Sequence, residues 1–216
     1  MFILPVRSIS SSILSAIVPA FRIPQALFCT LQPRQYRPAH HYYMSENNHN
    51  HIPINPQTRI GHVHLKVANL ERALGFYHGV LGLEVMERSG TAAFLSAGGY
   101  HHHIALNTWQ SLGGTPPPPG TTGLYHLAIL YPTRAALADA LRRLVRAGIQ
   151  LDGASDHGVS EALYLHDPDG NGVELYRDRP REQWPRTPDG QLAMTNNPLD
   201  LDGLLHEPTP AQGTAL

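Results

Sequence analysis

Gly61-His62-Val63-His64-Leu65-Lys66-Val67 opens a pattern that returns at Tyr125-His126-Leu127-Ala128-Ile129-Leu130-Tyr131, and this recurrence decides how the chain is read. Both stretches alternate apolar residues in the manner of a half-buried strand. Each leads into a helix start. Asn69 precedes Leu70, Ala73, Leu74, Tyr77 and Leu81 at helical spacing; Thr133 precedes Leu137, Leu141, Leu144 and Val145, with Gly148 as terminator. Aligned on Val67 and Tyr131, His62 and His126 coincide.

Outward from the first stretch, three strands are predicted over 83–88, 91–96 and 101–108, separated by Ser-Gly and Gly-Gly punctuation. A linker over 113–123 with four consecutive prolines follows. The second half then predicts a strand over 124–131, the helix, and strands over 150–154, 162–166 and 172–176, with Asp167-Pro168-Asp169-Gly170 turning the last pair. Both halves read βαβββ. Duplication of such a unit predicts an α+β fold, two βαβββ modules whose curved sheets face one another around a shared cleft.

The rest of the chain frames this unit. Residues 1–58 carry scattered prolines, a Ser-rich stretch and four arginines, with no acidic residue before Glu46. They read as a disordered leader: either a transit peptide, or an overextended start with Met44 as the true first residue. In the second case the protein is cytoplasmic, in the first mitochondrial. Residues 181–216 read as a polar tail with a short turn at 199–205 and no further core. A paired-module domain over 59–180 is left between them.

Composition excludes several function classes. A net charge of -1 and the lack of a long basic run leave no electrostatic footprint for nucleic acid or an anionic membrane, and the apolar stretches are too short and broken to span a bilayer. The single cysteine, Cys29, lies outside 59–180, so that segment contains neither a disulfide nor a thiolate metal site. A metal there is held by nitrogen and oxygen. Of 14 histidines, nine fall between His62 and His166. The last predicted strand supplies Gly172-Val173-Glu174-Leu175-Tyr176, a carboxylate between apolar neighbours that requires a cation or a hydrogen-bonding partner. Two histidines and one carboxylate on neighbouring strands make a facial triad, an arrangement suited to ferrous iron with open positions; Mn(II) accepts the same donors.

At these residues the segment from about Arg59 to Pro180 resembles the vicinal oxygen chelate superfamily, which includes glyoxalases, bleomycin-resistance proteins and extradiol dioxygenases. The module opening Gly61-His62-Val63-His64-Leu65-Lys66-Val67, the run Ala73-Leu74-Gly75-Phe76-Tyr77-His78-Gly79-Val80-Leu81-Gly82-Leu83, and Asp167-Pro168-Asp169-Gly170-Asn171-Gly172-Val173-Glu174-Leu175 carry the resemblance. Within the superfamily the chain looks like the catechol 2,3-dioxygenase branch. That resemblance implies metal ligands His62, His126 and Glu174, an acid/base His102, and substrate-binding His157 and Tyr164. It implies further an Fe(II)-dependent cleavage of a catechol-type or hydroquinone-type diol by dioxygen to a ring-opened semialdehyde. Ala105 stands where the glyoxalase I branch has a carboxylate ligand.

Strict alternation would place His101 and His103 on one strand face and His102 on the other, unless a bulge near Gly98-Gly99 corrects the facing. His64 shares the facing of His62 and is the alternative ligand. Two rival classes stand beside the dioxygenase: a glyoxalase-like metal-dependent isomerase or transferase, and a metal-free drug-binding protein of the same superfamily. The sequence leaves the oligomeric state open, a homo-oligomer included.

Overall fold

The computed structural model describes residues 52–208. The leader read over 1–58 lies almost wholly outside the described residues. The chain divides into two units at Pro56 and Gln57, and the fold below is that of the second.

Its first module runs β1 (Val63–Lys66), α1 (Leu70–Leu74), β2 (Glu84–Arg88), β3 (Ala92–Ser96) and β4 (Ile104–Asn107). The second runs β5 (Leu127–Leu130), α2 (Arg134–Arg146), β6 (Gly153–Asp156), β7 (Ser160–His166) and β8 (Gly172–Asp178). The duplicated βαβββ order expected from the sequence is therefore present. Strands form two mixed sheets, ordered β1-β4-β3-β2 and β5-β8-β7-β6-β9, with β9 at Asn197–Pro198. In each, the strand that follows the histidine is terminal and pairs in parallel with the module's last strand.

Both helices begin where the capping residues direct. The Asn69 side chain accepts from the Arg72 amide at 3.0 Å and the Thr133 hydroxyl from the Ala136 amide at 3.1 Å, each satisfying one of the amides a helix start leaves free. The first helix differs from its sequence pattern. From Gly75 to Val80 it widens to a π-helix, in which the Leu81 amide reaches Phe76 O, five residues back. Consecutive Phe76 and Tyr77 are both buried as a result.

Several predicted elements are shorter than expected. The strand read over 101–108 begins only at Ile104, and that read over 124–131 only at Leu127. Gly98 and Gly99, at φ 65° and 74°, turn the chain between β3 and β4 rather than forming a bulge. The bulge lies instead in β2, where the register with β3 shifts between Val85 and Glu87.

One apolar cluster joins the modules, containing Leu65, Phe76, Leu95 and Leu106 from the first and Leu137, Leu144, Leu163 and Leu175 from the second. A polar latch adds to it. Asp167 is buried in the turn before β8 and accepts from the Tyr77 hydroxyl at 2.9 Å, the Asn171 side-chain amide at 2.9 Å, and the backbone amides of Asp169 and Asn171 at 2.8 Å. Two residues on, Asp169 accepts from the Ala68 amide at 2.9 Å and from Arg72 at 2.6 Å. The first module's helix is thus tied to the turn that leads into β8.

The expectation of no further core within 181–216 is corrected. Helix α3 (Leu201–Leu205), capped by Asp200, buries Leu204 completely in the shared cluster. Four leucines within 199–205, broken by Asp200, Asp202 and Gly203, make too short a pattern for a periodic signal, and the burial of Leu204 depends on α2 lying beside it. Leu204→Ala is expected to cost about 2–5 kcal/mol, as other buried leucine truncations do. A fall in thermal midpoint of less than about 3 °C would contradict the assigned packing. No helix of the described residues is long and apolar enough to cross a membrane.

Candidate active site

Sheet register places the candidate residues row by row. In the second module Ala128 pairs with Glu174 and Glu174 with Tyr164. The matching row of the first module is His64, Ala105 and Phe94. Ala105 therefore occupies the first-module position of Glu174, and Phe94 that of Tyr164. His62 and His126 stand immediately before their strands, at equivalent places. Leu127, Val173 and Leu165 form the neighbouring row and point into the core. Strand alternation therefore turns Glu174 and Tyr164 to the opposite face.

On that face a chain of polar contacts runs through the second module. His126 Nε2 is 2.9 Å from Glu174 Oε2, and Tyr164 Oη is 3.2 Å from Glu174 Oε1. Tyr164 Oη also lies 2.7 Å from His157 Nε2, while His157 Nδ1 is 2.9 Å from the Thr195 carbonyl. A carbonyl only accepts, so Nδ1 carries a proton. Neutral His157 then presents a lone pair at Nε2 to the tyrosine hydroxyl. The phenol has one proton and serves His157 or Glu174, not both. Burial and the neighbouring Glu174 carboxylate push Tyr164 up to about 12, so it remains a donor at neutral pH.

Comparison of the two glutamates on β7 and β8 separates a structural charge from a chemical one. Glu161 is buried and met by three guanidiniums: Arg134 at 3.1 Å, Arg177 at 2.9 Å and Arg179 at 3.1 Å. Its charge is neutralised by permanent cations. Glu174, only 13% exposed, makes no ion pair with Arg or Lys among the described residues. Its partners are an imidazole and a phenol, neither of them a permanent cation.

The first module contributes a histidine cluster. The His62 and His102 rings lie 4.4 Å apart, and His102 stands edge-on to Phe94 at 5.1 Å. The His103 backbone still bonds Leu95 and Val63, but residues 101 and 102 lie before the sheet and strand alternation does not govern them. His102 is half-buried beside His62, His103 turns to the Ser96 hydroxyl at 3.0 Å, and exposed His101 meets His102 at 2.8 Å. Partial desolvation, then the nearby rings of His62, His101, His64 and His103, hold His102 below the ordinary histidine range. His64 pairs with the Asn107 side chain at 2.8 Å and packs edge-on against Trp109.

These placements test the donor set for a metal. Adjacent donors on an octahedral ion with bonds near 2.1 Å lie about 3 Å apart, so His126 Nε2 and Glu174 Oε2 suit two neighbouring positions. His126 Nδ1 is buried without a hydrogen-bond partner. The expected third donor, His62, stands with His102, and among the described residues no three His, Cys, Asp or Glu side chains are grouped closely enough to hold an ion. The described site thus holds a nitrogen–oxygen pair in one module and a candidate third nitrogen in the other. Sequence reading did not find Thr195 or the Tyr77–Asp167 latch, because both act across long separations with no local motif.

The sequence profile of the Glyoxalase/Bleomycin resistance protein/Dioxygenase superfamily matches residues 59–175. The chain belongs to this superfamily. Within it, the chain is 44% identical over 163 residues to a catechol-2,3-dioxygenase of Bacillus subtilis, covering 76% of this chain and 56% of the relative. It is 36% identical over 120 residues to biphenyl-2,3-diol 1,2-dioxygenase 3 of Rhodococcus globerulus, covering 56% of this chain and 63% of the relative. The chain thus spans a little over half the length of these curated relatives. A glyoxalase/dioxygenase crystal structure from Nostoc punctiforme shares the superfamily fold, with a TM-score of 0.50 and 20% identity over 60% of this chain and 97% of that one.

Proposed function

We propose that this chain is a metal-dependent extradiol dioxygenase that cleaves catechol-type aromatic diols, with Fe(II) as the metal and Mn(II) as the alternative. The observation that carries this reading is Glu174: a nearly buried carboxylate with no Arg or Lys partner among the described residues, 2.9 Å from His126 and in line with Tyr164 and His157. The superfamily relatives named as diol dioxygenases support the same chemistry. His126 and Glu174 would hold the ion together with His62 from the first module. Once bound, the ion would lower the cost of ionising a diol hydroxyl and give diol and dioxygen a common binding centre.

The remaining groups handle protons and orientation. His102, held below the usual histidine range, is neutral at pH 7 and can accept a proton from a diol hydroxyl. Tyr164 stays protonated and donates to an anionic oxygen without ionising. His157 Nε2, 2.7 Å from the Tyr164 hydroxyl, orients the phenol by hydrogen bonding. Ala105 argues against a glyoxalase-like reaction, because a methyl group at the first-module equivalent of Glu174 supplies neither a fourth ligand nor a second carboxylate base. A metal-free binding protein has no need of Glu174 uncompensated.

The test is direct. After anaerobic loading with Fe(II), the full chain should consume dioxygen with one or more members of a catechol and hydroquinone panel and release a ring-opened semialdehyde. A dicarboxylic muconate would refute the position of cleavage. Isomerisation of a glutathione hemithioacetal with no diol-dependent oxygen uptake would refute the reaction class.

A further inference from the structure

Beyond the residues matched by the superfamily profile, the chain from Trp184 to Pro198 crosses the turn that carries His157. The contacts are specific. The Thr195 amide donates to His157 O at 3.0 Å, the Thr195 hydroxyl to Asp156 O at 3.2 Å, and the Thr195 carbonyl accepts from His157 Nδ1 at 2.9 Å. Next to His157, Gly158 lies so close to this segment that a Cβ there would be 2.8 Å from Pro185 Cγ and 3.2 Å from Thr195 Oγ1. The segment is anchored at both ends. Trp184 Nε1 donates to Arg179 O at 2.8 Å, and Asn197 and Pro198 pair with Asp156 and Ser155 of β6.

We propose that residues 184–198 are a positioning strap for His157, with Thr195 as its working residue. By accepting the Nδ1 proton, the Thr195 carbonyl selects one of two neutral tautomers and leaves Nε2 as the nitrogen facing Tyr164. Without that carbonyl the imidazole has no reason to keep its proton on Nδ1; an Nε2–H would donate to the Tyr164 oxygen and turn the phenol proton to Glu174. The amide and hydroxyl of Thr195 hold the carbonyl in place by bonding the backbone on either side of the His157 nitrogen. This inference rests on His157 as a proton-handling group of the proposed dioxygenase, but its first readout does not.

The test uses the full chain with 15N-labelled histidine, metal-free, near pH 8.5 where imidazole is neutral. In the wild type the His157 ring nitrogens should show a protonated Nδ1 and an unprotonated Nε2. Thr195→Pro removes the amide and hydroxyl bonds, and Trp184→Ala releases the strap without altering any residue that touches His157. Either variant, if folded by circular dichroism, should shift the ring signals toward the Nε2-protonated tautomer; Thr195→Ser should restore the wild-type pattern. Wild-type ring shifts in folded Trp184→Ala would overturn the proposal, whether or not Thr195→Pro folds. In the metal-loaded protein kcat should fall about tenfold or more with a smaller change in KM. If the wild type consumes no dioxygen with any diol, the function fails while the tautomer shifts still decide the strap.

Discussion

Glu174→Ala is expected to leave the protein folded, strip its metal, and lower diol-dependent oxygen uptake at least about a thousandfold, since even outer partners of a ligand are worth 10–100-fold. The fold should survive because the substitution removes a carboxylate that no Arg or Lys of the described residues neutralises, on the sheet face opposite the core rows. Glu161 gives the contrast. Truncating that side chain leaves three guanidiniums facing one another, so Glu161→Ala should damage folding rather than selectively remove metal. Metal content by elemental analysis and oxygen uptake on an electrode read the result. His126→Ala and His62→Ala should behave as Glu174→Ala does, whereas His102→Ala and His157→Phe should keep metal and lose turnover. Retention of stoichiometric metal by Glu174→Ala would remove the basis of the assigned site. If His64→Ala empties the site and His62→Ala does not, the first-module ligand is His64.

Asp167→Ala is expected to be the most destabilising single substitution at the join between modules, by about 3–5 kcal/mol. Four donors lose their acceptor at once: the Tyr77 hydroxyl, the Asn171 side chain, and the amides of Asp169 and Asn171. An unsatisfied buried polar group costs about 1–3 kcal/mol, and water reaching part of the opened turn reduces the sum. Tyr77→Phe, which removes one donor and keeps the buried ring, should cost about 1–2 kcal/mol. Burial and Asp167 raise the Tyr77 phenol far above its ordinary range, so it remains a donor across the accessible pH range and the latch does not open through tyrosine ionisation. Urea denaturation of the two variants measures both effects. Equal losses for Asp167→Ala and Tyr77→Phe would mean that the turn is not organised by the Asp167 carboxylate.

Much of the fold was legible because its signals are local. Asn69 and Thr133 cap where a side-chain acceptor must meet free amides, and the spacing of Leu137, Leu141 and Leu144 marks the face that α2 buries. Element ends were less legible. The residues 101–103 have the polarity of a strand continuation, but backbone bonding to the neighbouring strands ends at His103, and pairing is a property of two segments rather than one. The same holds for the π-helix at Gly75–Val80, whose i→i−5 bond leaves no mark on an apolar pattern consistent with an ordinary helix.

For the site, the sequence alone determined the duplicated order and the equivalence of His62 with His126. It also determined the presence of a carboxylate at Glu174 and its absence at Ala105, because these depend only on residue type and spacing. Tertiary structure decided which groups meet. Pairing of β5, β8 and β7 brought His126, Glu174, Tyr164 and His157 into one chain of contacts. The loop before β4 put His102 rather than His101 or His103 beside His62. A return of the chain 38 residues after His157 set the proton on that ring. Contacts between residues so far apart arise from backbone register and packing, where a shift of one residue reverses every side chain's face, and no window of sequence contains that information.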